Sequence, residues 1–234
     1  SILRDAETEA LLQDMLDPLA EAAGLGAGAV EVVLINEPSI NAFVAGGQRI
    51  FIHSGLINAA GSANEVQGVL AHELGHITGG HINRFSEGVG NATRITILSA
   101  LLAAAAAFAG GGEAAMGVLA AGQQAAMGSF LAFSRVQEAS ADAAGAQYLR
   151  DAGISGRGSL TFFRRLQNLE FRYGISQDDE MQYGRSHPMT GDRITLLEET
   201  YRADPAWDTP SDPELERRFA LAKAKLYGYL TPPE

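Results

Sequence analysis

The sequence contains no cysteine. That absence excludes a disulfide framework and every thiolate metal site, so a bound metal has only histidine and carboxylate side chains to hold it. A chain without cysteine also suits an oxidising compartment. Basic residues are scarce: 17 Lys and Arg stand against 28 Asp and Glu, for a net charge of -11. There is no basic run and no aromatic–basic interleaving. Nucleic-acid binding needs clustered Lys and Arg to neutralise phosphates, so nucleic acid is not an expected partner. Strongly apolar runs are also lacking. Residues 95–109 carry no charge but fall short of the about 20 apolar residues that cross a bilayer. Residues 116–133 are longer, yet they contain Gln123 and Gln124 and much Ala and Gly. These segments read as a helical hairpin, about 92–133, that packs on the body or touches a membrane surface without crossing it. No signal-peptide pattern follows Ser1, so the sequence reads as mature or trimmed.

What is present is ordinary for a globular protein. Hydrophobic residues make up 46% and charged residues 19%, ordinary for a sizeable core; the length allows one large domain or two small ones, and a single domain over residues 1–234 is expected. Residues 4–23 have the spacing of an amphipathic helix, with Leu11, Leu12, Met15, Leu16 and Leu19 near one face and Pro18 expected to kink or end it. Residues 30–35, 41–44 and 49–53 read as strands, the last two joined through Gly46 and Gly47. From residue 64 onward the pattern is helical. Segments are expected at 64–78, with Ser62 or Asn64 as cap, and at 92–109, 114–133, 135–151, 160–173, 190–203 and 212–229. Gly153 suits the end of the fourth. Residues 175–188 form a polar connection without periodicity. The fold class is therefore α+β, mostly helical, with a small antiparallel-containing sheet beside a cleft.

His72-Glu73-Leu74-Gly75-His76 is an HExxH motif inside a helical segment. Residues four apart lie on one helix face, so both imidazoles can reach one zinc ion, and Glu73 can turn toward its open side to take a proton from water. Gly75 leaves room for a close helix neighbour. A catalytic zinc needs a third protein ligand. The extended motif that supplies a histidine six residues on is not met, because position 82 is Ile and His81 is out of register. Glu138 and Asp142 are the strongest candidates elsewhere. They are four apart on a helix, so Glu138 can bind the metal while Asp142 accepts from the far nitrogen of a ligand imidazole. This pattern points to metal-assisted hydrolysis. A solvated acidic helix face is the plainer alternative for the pair, and a non-peptidase zinc hydrolase remains open on HExxH alone.

The chain resembles peptidase family forty-eight of the zincins, which includes the HtpX-like and CAAX prenyl protease enzymes, and is most similar to its soluble periplasmic BepA-type branch. The resemblance covers most of the chain. It rests on Asn41-Ala42-Phe43 with Gly46-Gly47, on the HExxH residues, on Glu138-Ala139-Ser140-Ala141-Asp142, and on Ser186-His187-Pro188 with Arg193. It implies a helix-rich gluzincin fold, Glu138 as third zinc ligand, one zinc per chain, and endopeptidase activity in envelope protein quality control. It also implies that a tetratricopeptide-repeat domain is absent or trimmed after residue 234, with residues 204–234 as its start.

The resemblance favours an active-site position for His187. There it can fill the fourth zinc position at rest or donate to the oxyanion of the tetrahedral intermediate; a lone histidine before proline is otherwise a satisfied loop residue. Arg193 would then hold a nearby carboxylate or backbone carbonyl. Asn41, Ala42 and Phe43 are candidates for ordering an edge strand on which an extended substrate pairs, although Asn41 also suits a plain strand-start turn. His53 and His81 read as structural or exposed. The expected partners are protein or peptide substrates, with a peripheral membrane or outer-membrane assembly contact, in the periplasm. The rival expectation is a chaperone-like or self-repressed protein whose zinc site is closed by His187.

Overall fold

The structure, a computed structural model, describes residues 1–173 and 182–230. Its elements in chain order are α1 (Ala6–Ala22), β1 (Glu31–Ile35), β2 (Ala42–Ala45), β3 (Arg49–His53), α2 (Ser54–Ala59), α3 (Ala63–Thr78), α4 (His81–Phe108), α5 (Gly112–Asp151), α6 (Arg157–Tyr173), α7 (Gln182–Ser186), α8 (Gly191–Arg202) and α9 (Pro213–Leu230). A 3-10 turn over Pro205–Asp208 precedes α9. The fold is α+β and mostly helical, with one small mixed sheet.

The strands lie in the order β1-β3-β2. β1 runs parallel to β3, while β2 pairs antiparallel with β3 through a turn in which Gly46 and Gly47 take φ of 60° and 94°. β2 is thus an edge strand, with β3 as its one strand neighbour among the described residues.

Two compact units divide the chain: Ser1–Thr78 with Ser140–Glu234, and Gly79–Ala139. In the first, α3 is the central element. Every residue from Ala63 to His76 is buried, because α1, α6, α9 and the strands β2 and β3 pack around it. Such a helix carries apolar residues on all sides, as Val66, Val69, Leu70, Ala71 and Leu74 do. Its N-terminus is closed by Ser62, whose Oγ accepts from Glu65 N at 3.2 Å, and by Glu216 of α9, which accepts from Ala63 N at 2.9 Å. These bonds satisfy donors that a helix start leaves open. Arg165 of α6 pairs with Glu65 at 2.7 Å and fixes the same end.

The second unit is a hairpin of α4 and the first part of α5, reversed at Gly110, where φ is 83°. Small residues let its helices approach. Phe133 lies over Gly88, and Phe85 meets Phe130 edge-on at 5.7 Å.

Four expectations need correction. α1 runs through Pro18 to Ala22; a proline costs one backbone bond, but the buried leucine stripe on both sides of it keeps the helix together. The helix expected from residue 92 starts at His81, since Ile82, Phe85 and Val89 already carry helical spacing. At 28 residues it is long and apolar enough to cross a membrane, so the argument from shortness does not hold. The two segments 114–133 and 135–151 are one helix, because no Gly or Pro lies between Gly128 and Gly145. The connection 175–188 ends in α7; residues 175–181 lie outside the described ones.

Candidate metal centre

α3 presents His72 and His76 one turn apart on the same face. Their ring centroids are 4.7 Å apart, and Nε2 of one lies 3.0 Å from Nε2 of the other. His187, one residue past α7, brings Nδ1 to 3.3 Å from each of these nitrogens. Three ring nitrogens so close together cannot all be joined by hydrogen bonds, because a neutral imidazole has a single N–H to give. Nitrogens at about 2.0–2.1 Å from one tetrahedral zinc lie roughly 3.3–3.4 Å apart, so the spacing fits a shared ion.

A carboxylate oxygen of Glu138 completes a buried group in which one ligand atom from each of His72, His76, Glu138 and His187 lies within 4.8 Å of the others. Glu138 stands two residues before Ser140 on the unbroken helix α5. The next turn carries Ala141, Asp142 and Gly145, the i+3, i+4 and i+7 positions of one helical face.

Close packing of α3 on α5 is enforced by two glycines. A Cβ on Gly75 would sit 2.6 Å from Ala141 O, and a Cβ on Gly145 would sit 3.0 Å from Ala71 C. Neither position has room for a side chain, as expected for Gly75. Gly145 was not singled out from the sequence, although its seven-residue spacing from Glu138 was the available signal.

Asp142 fixes the first histidine. Its Oδ1 lies 2.9 Å from His72 Nδ1, which leaves Nε2 directed at the centre. Burial pushes the Asp142 carboxyl upward, but hydrogen bonds from His72 and Arg193, with their charges, outweigh it and hold the group below the usual range. It is therefore an anion. Arg193, in the first turn of α8, grips it with two bonds, Nε to Oδ2 at 2.7 Å and Nη2 to Oδ1 at 2.9 Å. The third arm, Nη1, donates to Pro188 O at 2.7 Å. Arg193 thus holds both a carboxylate and a backbone carbonyl, and it links the His72 support to the residue beside His187.

Glu73 is fully buried, and neither of its oxygens has a hydrogen-bond partner among the described residues. His187 Nε2 is the ionic neighbour at 3.4 Å from Oε1, beyond good hydrogen-bonding distance. A buried carboxylate is costly without a partner, so this group also marks a site built for something further.

Tyr183, like Gly145, was not singled out from the sequence. Fully buried, it places its ring 4.5 Å from His187 and stacks on Phe163 at 6.4 Å. Its carbonyl accepts from His187 N at 2.8 Å. Its four-residue spacing from His187 was the available signal. On the strand side, Ala42 is buried, and Phe43 stacks on Phe51 at 5.3 Å. Asn41 donates from Nδ2 to Gln182 Oε1 at 3.1 Å, and Tyr183 N donates to Ile40 O at 2.9 Å. The start of the edge strand and the helix before His187 are therefore tied together.

His53 and His81 stand outside the group. His53 is buried and bonded to Ser39 Oγ at 2.8 Å, and burial holds its imidazole below the ordinary value. His81 is buried at the start of α4 with its ring against Gly79.

A helix-borne HExxH and a carboxylate on a second helix, in a mostly helical α+β frame, are the features of a metallopeptidase-type zinc centre. The chain belongs to peptidase family M48, whose profile matches residues 6–201. It is 30% identical over 198 residues to the beta-barrel assembly-enhancing protease of Escherichia coli (strain K12), covering 83% of this chain and 38% of that protein. It is 32% identical over 168 residues to the metalloprotease LoiP of the same strain, covering 70% of this chain and 60% of the relative. The mitochondrial metalloendopeptidase OMA1 of Arabidopsis thaliana is 30% identical over 167 residues, 71% of this chain and 30% of that protein. The chain therefore spans well under half the length of the beta-barrel assembly-enhancing protease.

Proposed function

We propose that this chain is a zinc endopeptidase of the bacterial envelope that cleaves unfolded or misassembled proteins, with Glu73 as general base and His187 capping the metal site at rest. The observation that carries the reading is the placement of one imidazole against two functions. His187 turns Nδ1 to the ligand nitrogens and Nε2 to Glu73.

His72, His76 and Glu138 would hold the zinc, which supplies Lewis acidity that polarises the scissile carbonyl and makes water acidic near pH 7. Asp142 and Arg193 keep His72 in the tautomer and orientation that ligation needs. Glu73 takes the proton of the attacking water and passes it to the leaving amine. The closed, water-poor surroundings of Glu73 favour that transfer once His187 has moved aside. An extended peptide adds to the edge of β2, which among the described residues pairs with β3 alone, near Asn41, Ala42 and Phe43, where main-chain hydrogen bonds give affinity with little sequence demand.

Envelope substrates are supported by the name of the beta-barrel assembly-enhancing protease, and a periplasmic location goes with that reading. The single 40-residue stretch between Arg94 and Arg135 carries only Glu113 as a charged side chain, and it would rest against a membrane surface. A chaperone-like role with a silenced metal site draws no support from those relatives and has no use for the Glu73 carboxylate. The test is casein cleavage by zinc-loaded protein and by Glu73→Gln. Cleavage lost with zinc retained supports the reading, and full cleavage by the variant refutes it.

A further inference from the structure

Asn41 has two ends with different fates. Nδ2 is spent on Gln182 at 3.1 Å. Oδ1 is buried without a hydrogen-bond partner among the described residues, in a residue 9% exposed. A buried carbonyl oxygen left without a donor is costly, and this one stands at the head of the edge strand. A peptide lying along β2 brings backbone N–H groups to that edge, the donor that Oδ1 lacks.

Gln182 begins α7, and α7 delivers His187. The path is short and entirely polar or stacked. Asn41 holds Gln182, Ile40 O accepts from Tyr183 N at 2.9 Å, Tyr183 O accepts from His187 N at 2.8 Å, and the Tyr183 ring lies 4.5 Å from the His187 ring. A further restraint on this segment, Arg193 to Pro188 O, comes from the Asp142 side. His187 is therefore held between the substrate strand and the support of the metal ligands.

We propose that Asn41 is a positioning residue that couples peptide binding on β2 to withdrawal of His187 from the metal site. When Oδ1 accepts a peptide N–H, the carboxamide turns, its bond to Gln182 is released, and α7 keeps only its backbone tie to the strand, Tyr183 N to Ile40 O. This inference rests on the capping reading of His187 given above. It assigns to Asn41 a role that contact with substrate alone would not give. Loss of the Gln182 bond should loosen the hold on His187 even without substrate.

The experiment uses cobalt(II) in place of zinc, because its visible absorption reports the number and type of ligands independently of turnover. His187→Ala should change the resting spectrum. Gln182→Ala should move the spectrum in the same direction and raise basal cleavage of a short unstructured peptide severalfold, with KM little changed. The Gln182→Ala, His187→Ala double variant should match His187→Ala alone. β-Casein added to cobalt-loaded Glu73→Gln protein should reproduce the shift without cleavage, and this arm does not depend on the folding of a Gln182 variant. A wild-type spectrum in Gln182→Ala, or no response to bound casein, while His187→Ala does change it, overturns the coupling and leaves the cap standing. An unchanged spectrum in His187→Ala overturns the cap itself and the coupling with it.

Discussion

His187 Nε2 lies 3.4 Å from Glu73 Oε1 while the other nitrogen of the same ring lies 3.3 Å from both HExxH histidines. One side chain thus faces the metal position and the base together. A four-ligand zinc site has no open place for water, and peptidase chemistry needs one.

Removing that ring should open the site. His187→Ala is expected to raise basal cleavage of an unfolded protein severalfold at unchanged zinc content. If His187 instead served the oxyanion, cleavage would fall by the equivalent of about 2–4 kcal/mol. Initial rates with casein, measured beside zinc content, separate the two, and unchanged rates would make His187 a loop histidine.

Glu73→Gln keeps the size of the side chain and removes its basicity. Because the ligands are untouched, one zinc should remain and cleavage should fall by about two to four orders of magnitude. Mass spectrometry of intact casein after long incubation checks the loss. A normal rate would mean that another group takes the proton.

Metal retention should rank the two acidic residues of α5. Glu138→Ala removes the proposed third ligand and should release most of the zinc on dialysis. Asp142→Asn leaves the ligands but weakens the anchor of His72, so affinity should drop by about 10–100-fold. Competition with a chromogenic chelator measures both. Wild-type affinity in Glu138→Ala would remove it from the ligand set.

Much of this centre was legible because helical spacing is local. His72 and His76, Glu138 and Asp142 each declare themselves within one turn, and Gly75 announced the close helix that Ala141 provides. What joins these turns is not local. Nothing near His187 in sequence tells that Tyr183 N reaches Ile40, or that Arg193 bridges Asp142 and Pro188. Those bonds depend on packing of α7 and α8 against elements far away in the chain. The same limit applied to helix lengths. The break expected between Phe133 and Arg135 had no proline or glycine behind it, and α5 runs through. The short helix α2 follows β3 so closely that the period change at Ser54 was hidden.

The pair Asp5–Lys225 predicts a pH effect away from the centre. Burial pushes the Asp5 carboxyl up, but hydrogen bonds from Lys225 and Thr8 outweigh it and hold the group below its ordinary value. Lys225 Nζ lies 2.6 Å from Asp5 Oδ1 and ties α9 to the start of α1. A carboxyl depressed on folding stabilises above its unfolded pKa of about 4, and that stability is lost as pH falls through the folded value. Asp5→Asn should therefore melt lower than wild type at pH 7 and converge with it near pH 2. A constant difference across that range would show that packing, not charge, is lost.

The hairpin gives the last prediction. Leu98, Leu101, Leu102 and Phe108 of α4 are 58%, 64%, 55% and 93% exposed, and Met116 and Met127 of α5 are 67% and 60% exposed. Exposed apolar surface on this scale marks a contact. Arg94 and Arg135 stand at the two ends of the weakly charged stretch, where guanidinium groups can meet anionic headgroups while the stems lie along lipid. Burying one leucine is worth roughly 1.5–3 kcal/mol, so a few of them outweigh the repulsion of an acidic chain from an anionic surface at moderate salt. The protein should co-sediment with phosphatidylglycerol-containing vesicles and stay bound when salt is raised, since the apolar part is not screened. Leu98→Asn, Leu101→Asn and Leu102→Asn combined should weaken binding by more than about tenfold and leave cleavage of a short soluble peptide unchanged. Wild-type protein left in the supernatant with vesicles present would rule out a lipid contact and assign the exposed face to another protein.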